Sequence, residues 1–180
     1  MRTFLLWLPF FLLLVFVAVL VQRTTHLSFA IVTPINNKPM PRLALPMLAG
    51  SDTLTGEMVK GKPALVNFFA SWCGPCAMEN AVLVKLAAQK QIEIDGIALK
   101  DQPAPLQSYL AARGNPYAHI GMDATGRTAI EWGVSGVPET FAVNAAGVVK
   151  GHHTGSLSAE DAAALVKIAT EPVPATEPTQ

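Results

Sequence analysis

The chain lacks most of the features that announce a function. It carries no excess charge: 13 Lys and Arg balance 13 Asp and Glu over 180 residues. It has no basic tract, so nucleic acid is not an expected partner. It shows no internal repeat, no haem-attachment motif and no set of haem-iron ligands. It holds two cysteines only. A zinc site built on them would need two further ligands. His152 and His153 are the one adjacent histidine pair, and neighbours on a strand point to opposite faces. The absence of further ligands leaves the cysteine pair itself as the chemistry to explain.

Those cysteines sit in Trp72-Cys73-Gly74-Pro75-Cys76. A disulfide needs Cα atoms within roughly 7 Å, and two intervening residues at a helix start allow it. The apolar run Ala64-Leu65-Val66-Asn67-Phe68-Phe69-Ala70 reads as a buried strand before the motif. Residues 76–90, rich in Ala, Leu, Val and Lys, read as a helix after it. Cys73 thus falls at a helix N-terminus, where the dipole and free N–H groups favour thiolate. Pro75 is tolerated in a first turn. Cys76 becomes the shielded resolving thiol, and Trp72 covers the edge of the pair. A purely structural disulfide would close a two-residue loop and restrict the unfolded chain little. The pattern reads as a thioredoxin-like redox motif.

The length suits one domain of about 150 residues with appendages. Residues 4–21 form an uninterrupted apolar run, nearly enough at about 1.5 Å per residue to span a bilayer core of roughly 30 Å. The alternative is a cleaved signal peptide, with Ser28-Phe29-Ala30 as a faint cleavage site, but a signal's apolar region is shorter. Arg2 before the run and Arg23 after it permit an N-inside placement. The expected organisation is a cytoplasmic N-terminus over 1–3, a transmembrane anchor over 4–21, a linker over 22–42, a domain over 43–170 and a flexible tail over 171–180. The linker contains Pro34, Pro39 and Pro41 and is expected to be extended.

Within the domain, residues 43–59 read as a small strand pair. Residues 92–99 have strand character, 103–113 read as a helix, 117–122 as a short strand and 127–132 as one or two helical turns. Residues 141–144 and 148–154 form a hairpin about Ala146-Gly147. A last helix opens after Ser158, a plausible N-cap, with Ala162, Leu165, Val166 and Ala169 at helical spacing. Strand–helix–strand–helix followed by hairpin–helix gives an α/β thioredoxin fold, a central mixed sheet flanked by helices. It carries an N-terminal strand pair and a mid-chain insert, and is preceded by one transmembrane helix.

Further candidates surround the cysteines. Val137-Pro138 opens a strand, with the X-Pro bond cis or trans on spacing alone. Glu79 lies three residues beyond Cys76 on the same helical face, and Glu139 directly follows Pro138. Each is either a solvated surface charge or a group that disfavours thiolate and relays a proton. Asn67, polar within an apolar strand, requires a hydrogen-bond partner. His119, His152 and His153 read as surface strand or loop residues, and no metal is expected.

Asn67, Trp72 to Cys76, Glu79, Lys100-Asp101, Gly114-Asn115-Pro116-Tyr117 and Gly136-Val137-Pro138-Glu139-Thr140-Phe141 together resemble a known family. It is the membrane-tethered thiol:disulfide interchange proteins of bacterial cytochrome c maturation, the CcmG/DsbE type. The similarity runs over about residues 43–170. It implies that Cys73 attacks, that Cys76 resolves, and that the redox-active disulfide Cys73–Cys76 is the only cofactor. It implies a cis Pro138, redox tuning or proton relay by Glu79, Glu139 and Asn67, and a substrate groove at Trp72, Gly74, Pro75, Val137, Pro138 and Thr140. It further implies a reductant in the periplasm, held by a single-pass anchor in the inner membrane. Its substrate would be apocytochrome c or a partner thiol protein, and a membrane protein of the DsbD/CcdA type would recharge it. The Gly74-Pro75 dipeptide is that of general thioredoxins, a departure that bears on potential and substrate breadth. Other readings are a general envelope thiol reductase of the TlpA/ResA type, or a non-catalytic module that binds assembly partners.

Overall fold

The structure, a computed structural model, describes residue 7, residues 10–17 and residues 35–172. The chain divides into two units, Met1–Ile31 and Val32–Gln180.

In the first unit the described helical run is residues 10–17, all exposed. Among the described residues no helix is long and apolar enough to cross a membrane. This corrects two expectations: the transmembrane helix ahead of the fold, and the single-pass placement in an inner membrane with the domain in the periplasm. A run of apolar side chains meets the compositional requirement for an anchor, but the described residues hold no helix that meets the length requirement as well. The rest of residues 4–21, residues 22–34 of the expected linker and residues 173–180 of the expected tail lie outside the described residues.

The second unit is built on one sheet. β1 (Ala44–Pro46) and β2 (Thr53–Thr55) form a small antiparallel ribbon, followed by one helical turn, α1 (Gly56–Val59). The sequence suggested strand over that turn; the Thr-rich ribbon ends at Thr55, and Gly56 begins the turn. The main elements then follow as β3 (Ala64–Phe69), α2 (Gly74–Ala88), β4 (Glu93–Leu99), α3 (Pro103–Arg113), β5 (His119–Asp123), α4 (Arg127–Glu131), β6 (Glu139–Val143), β7 (Val149–Thr154) and α5 (Ala159–Thr170). The strand order is β5-β4-β3-β6-β7. β3 pairs with β4 in parallel and with β6 antiparallel, which makes the sheet mixed. This is the thioredoxin-like α/β arrangement.

β3 is buried at every position, as expected for a central strand covered on both faces. Its alternation divides the core. Leu65 and Phe69 join Leu83 and Leu86 of α2, Leu106 and Leu110 of α3, and Leu165 of α5; both cysteines belong to this cluster. Val66 and Phe68 face the other way, towards Val59, Trp132, Phe141 and Val149. Trp132, Phe68 and Phe141 meet at ring-centroid distances of 5.2–5.7 Å, tilted or edge-on, which favours contact between ring edges and faces. The end of the proline-rich stretch also lies along the sheet: Asn37 N–H donates to Val149 O, and Val149 N–H donates to Lys38 O.

The helix ends are well provided with partners. Ser158 Oγ accepts the Asp161 N–H at 3.1 Å while the Asp161 carboxylate accepts the Ser158 N–H at 3.1 Å, a reciprocal capping box that starts α5. Pro103 and Pro105 occupy the start of α3, where the missing N–H groups cost least.

Candidate active site

Cys73 is the N-cap of α2. Its Sγ accepts the Cys76 backbone N–H at 3.1 Å, so the first turn turns one of its orphan donors onto the sulfur. A thiolate at that position gains this hydrogen bond and the positive end of the helix dipole. Cys73 and Cys76 are joined, with an S–S distance of 2.06 Å and Cα atoms 5.3 Å apart. The protein is thus in its oxidised form, with the cysteine pair itself as the redox centre.

The strand end that delivers this turn is clamped. Asp101 accepts from the Ser71 N–H at 2.5 Å and the Ser71 hydroxyl at 2.9 Å. The Trp72 indole N–H donates to Lys100 O at 3.3 Å, and the ring stays 61% exposed beside the cysteines. Ser156, ahead of α5, donates to Pro75 O at 2.9 Å, and the Tyr109 hydroxyl donates to Cys76 O at 3.2 Å. The Lys100-Asp101 pair, quoted in sequence as a motif alone, thereby acquires a mechanical purpose.

Opposite the cysteines, the Val137–Pro138 peptide is cis, and the Val137 carbonyl oxygen lies 3.5 Å from Cys73 Sγ. Pro138 and Thr140 are buried, whereas Val137 is half-buried and Gly74 and Pro75 are exposed.

A polar chain runs behind the pair. Glu79, 1% exposed, accepts from Asn67 Nδ2 at 3.0 Å and from the Leu157 N–H at 3.0 Å. Asn67 also donates to Thr140 Oγ1 at 2.9 Å and accepts the Tyr117 hydroxyl at 2.8 Å. The partner that the buried asparagine required is therefore threefold. Burial pushes the Glu79 carboxyl up, more than the hydrogen bonds from Leu157 and Asn67 lower it. Burial likewise raises the Tyr117 phenol well above its ordinary value, keeping it a hydroxyl donor. Tyr117 reaches Asn67 because Gly96 stands opposite Asn67 in the sheet; a Cβ there would lie 2.8–2.9 Å from the Phe69 and Tyr117 rings.

Glu139 is elsewhere. β6 alternates, so Thr140 shares the disulfide's face of the sheet and Glu139 takes the other. There its Oε1 accepts from Ser135 N–H at 2.8 Å, Ser135 Oγ at 2.5 Å and Gly136 N–H at 3.1 Å. Its Oε2 meets His152 Nε2 at 2.7 Å. Burial acts to raise this carboxyl, but the hydrogen bonds from His152 and Ser135 together outweigh it and hold the group below the ordinary glutamate range. Glu139 thus pins the loop that carries Val137 from behind. The sequence placed both carboxylates as candidates beside the sulfurs; the structure brings Glu79, Asn67 and Thr140 to that face and sets Glu139 behind the loop. His152, expected on the surface, has a side chain only 5% exposed and stacks on Phe141 at 4.2 Å. Edge-strand position suggested exposure, and nothing in the local pattern signalled the cover from β6. Tyr117, Tyr109 and Ser135 were not singled out as site residues either; only the Gly-Asn-Pro-Tyr motif hinted at the first.

Comparison with known proteins agrees with this chemistry. The Redoxin family profile matches residues 35–167. A thiol:disulfide interchange protein DsbE of Pseudomonas fluorescens biotype C is 40% identical over 156 residues, 86% of each chain. The thiol:disulfide interchange protein HelX of Rhodobacter capsulatus is 40% identical over 130 residues, 72% of this chain and 73% of its own length. A crystal structure of a thioredoxin-family thiol:disulfide interchange protein from Chlorobium tepidum superposes with a TM-score of 0.61 at 30% identity, over 73% of this chain and 94% of that one. A helix-capping cysteine pair facing a proline loop, in a chain this similar, performs thiol–disulfide exchange: the protein belongs to the redoxin family as a thiol:disulfide interchange protein of the DsbE type.

Proposed function

We propose that this protein is the reductant that keeps the haem-binding cysteines of apocytochrome c, or of a thiol protein that serves them, in the dithiol state. In the reduced protein the Cys73 thiolate attacks one sulfur of the substrate disulfide. A Cys73–substrate bond forms and the other substrate sulfur leaves as thiolate, taking a proton. Cys76 then attacks Cys73, the mixed disulfide breaks, and the second substrate thiol is released. Two electrons pass to the substrate and the Cys73–Cys76 disulfide remains. A donor of the DsbD/CcdA type would return the two electrons.

The observation that carries this reading is the buried carboxylate one helical turn past Cys76. Glu79, raised by burial, is suited to take the proton that Cys76 loses as it becomes nucleophilic. The same reading extends to the groove residues. The Val137 carbonyl beside Cys73 can hold an extended substrate backbone, with Trp72, Gly74 and Pro75 exposed around it. Glu139 shapes this groove by fixing Ser135 and Gly136, and Thr140 and Asn67 orient Glu79.

The test is trapping. Cys76→Ser leaves Cys73 able to attack but blocks resolution. Extracts of a cell that makes c-type cytochromes are treated with the variant and the adducts identified by mass spectrometry. Apocytochrome c, or a thiol protein that serves it, as the main adduct supports the proposal. A broad set of unrelated proteins would replace it with a general reductase. No adduct above a Cys73→Ser control would favour a binding module.

A further inference from the structure

The end of the sheet remote from the disulfide carries a second cluster that thiol–disulfide exchange does not use. Glu93 and Asp95 lie on β4, two residues apart and therefore on one face; His119 starts β5 and stands opposite Asp95 in the parallel register. His119 Nδ1 is 2.9 Å from Asp95 Oδ1 and 3.6 Å from Glu93 Oε1. One ligand atom from each of the three residues lies within 4.8 Å of the others. Asp95 is fully buried, and its Oδ2 has no hydrogen-bond partner; the buried Glu93 Oε1 has none either. Two buried carboxylate oxygens without donors beside an imidazole nitrogen are costly as they stand.

From this arrangement we propose that Glu93, Asp95 and His119 form a binding site for one divalent transition-metal ion of the zinc or cobalt class. The spacing fits. Ligands about 2.1 Å from a shared ion sit roughly 3.0 Å apart at octahedral and 3.4 Å apart at tetrahedral angles. The ligand chemistry fits as well, because an imidazole nitrogen with two carboxylates suits zinc and its neighbours better than magnesium or calcium. Lys62 pairs with Glu93 Oε2, which leaves Oε1 for the ion. With a neutral imidazole, one lysine against two carboxylates leaves a local charge of −1, attractive to a cation. Glu93 and Lys62 also line a cleft of about 450 Å³, so the cluster can be reached from solvent. Without metal, His119 Nδ1 and Asp95 share a hydrogen bond; the ion takes the place of its proton, which the neutral ring carries on Nε2 instead. The bound ion ties the start of β5 to β4.

The test uses the full-length untagged chain in its oxidised form, so that no thiolate competes for metal. Cobalt(II) is titrated and followed by its visible absorption, and zinc is titrated by calorimetry. The expected result is one equivalent bound, weakened at least about tenfold in His119→Gln and in Asp95→Asn. The His153→Gln variant binds as the parent does. Far-ultraviolet circular dichroism checks folding; His119 is half-exposed, so its variant remains decisive if Asp95→Asn unfolds. Absence of stoichiometric binding overturns the proposal. So does binding that survives His119→Gln or that is lost on changing His153.

Discussion

Removing the Glu139 carboxylate tests how the proline loop is held. The group accepts from Ser135 N–H, Ser135 Oγ and Gly136 N–H and pairs with His152. Glu139→Ala deletes all four contacts. Breaking a buried pair by taking one partner away costs about 3–5 kcal/mol. Ser135 and Gly136 are exposed and their donors can turn to water, so the lower end, about 3 kcal/mol, is expected. Glu139→Gln keeps an oxygen for the loop donors and loses only the charge, at about 1 kcal/mol. The assay is urea unfolding of the oxidised protein at neutral pH, paired with the rate at which each reduced variant opens a disulfide peptide. The alanine variant is expected to be slower in exchange as well as less stable, because the Val137 carbonyl is no longer fixed beside Cys73. The pH dependence has a definite sign. The folded carboxyl titrates below the ordinary 4.5, so its contribution is complete above about pH 4.5 and is lost as the pH falls through the folded value. An alanine variant less than about 1 kcal/mol below the parent would refute the clamp.

Three further outcomes are expected. Iodoacetamide labels Cys73 of the reduced protein before Cys76, because the Cys76 N–H and the helix N-terminus favour its thiolate; peptide mapping checks this. Glu79 has the opposite linkage from Glu139: its folded carboxyl lies above 4.5, so stability falls as the pH rises from about 4.5 through the folded value. Asp95 has the same sign, so only the difference between the parent and Glu79→Gln, followed by denaturant midpoint across pH, isolates Glu79; the variant is also expected to lose the acid limb of the exchange-rate profile. Tyr117→Phe removes the donor to Asn67 Oδ1 inside a fully buried network and is expected to cost about 1–3 kcal/mol in chemical unfolding.

What could be read from the sequence was whatever depends on short spacing. Two residues between cysteines, a strand before and a helix after, placed Cys73 at a helix start, and the turn geometry follows from that. Asn67 announced a buried partner because a polar residue in a fully covered strand must have one. The mixed sheet followed from element order. Relations across the sheet were harder to see. Glu139 adjoins Pro138 in sequence, yet period-two alternation turns it to the opposite face, where it meets His152 from a neighbouring strand. Asp95 and His119 lie 24 residues apart and meet only through parallel register. The apolar N-terminal run shows the converse: hydropathy marked a membrane anchor, but among the described residues no helix is long and apolar enough to cross a membrane.

The most direct test of the account is the reaction of the reduced protein with a synthetic peptide carrying an oxidised Cys-x-x-Cys-His, followed by mass spectrometry. The account predicts stoichiometric reduction of the peptide with formation of the Cys73–Cys76 disulfide. In Cys76→Ser it predicts arrest at a mixed disulfide on Cys73. A peptide that stays oxidised while the dithiol persists, or an adduct that forms on Cys76 in place of Cys73, would contradict it.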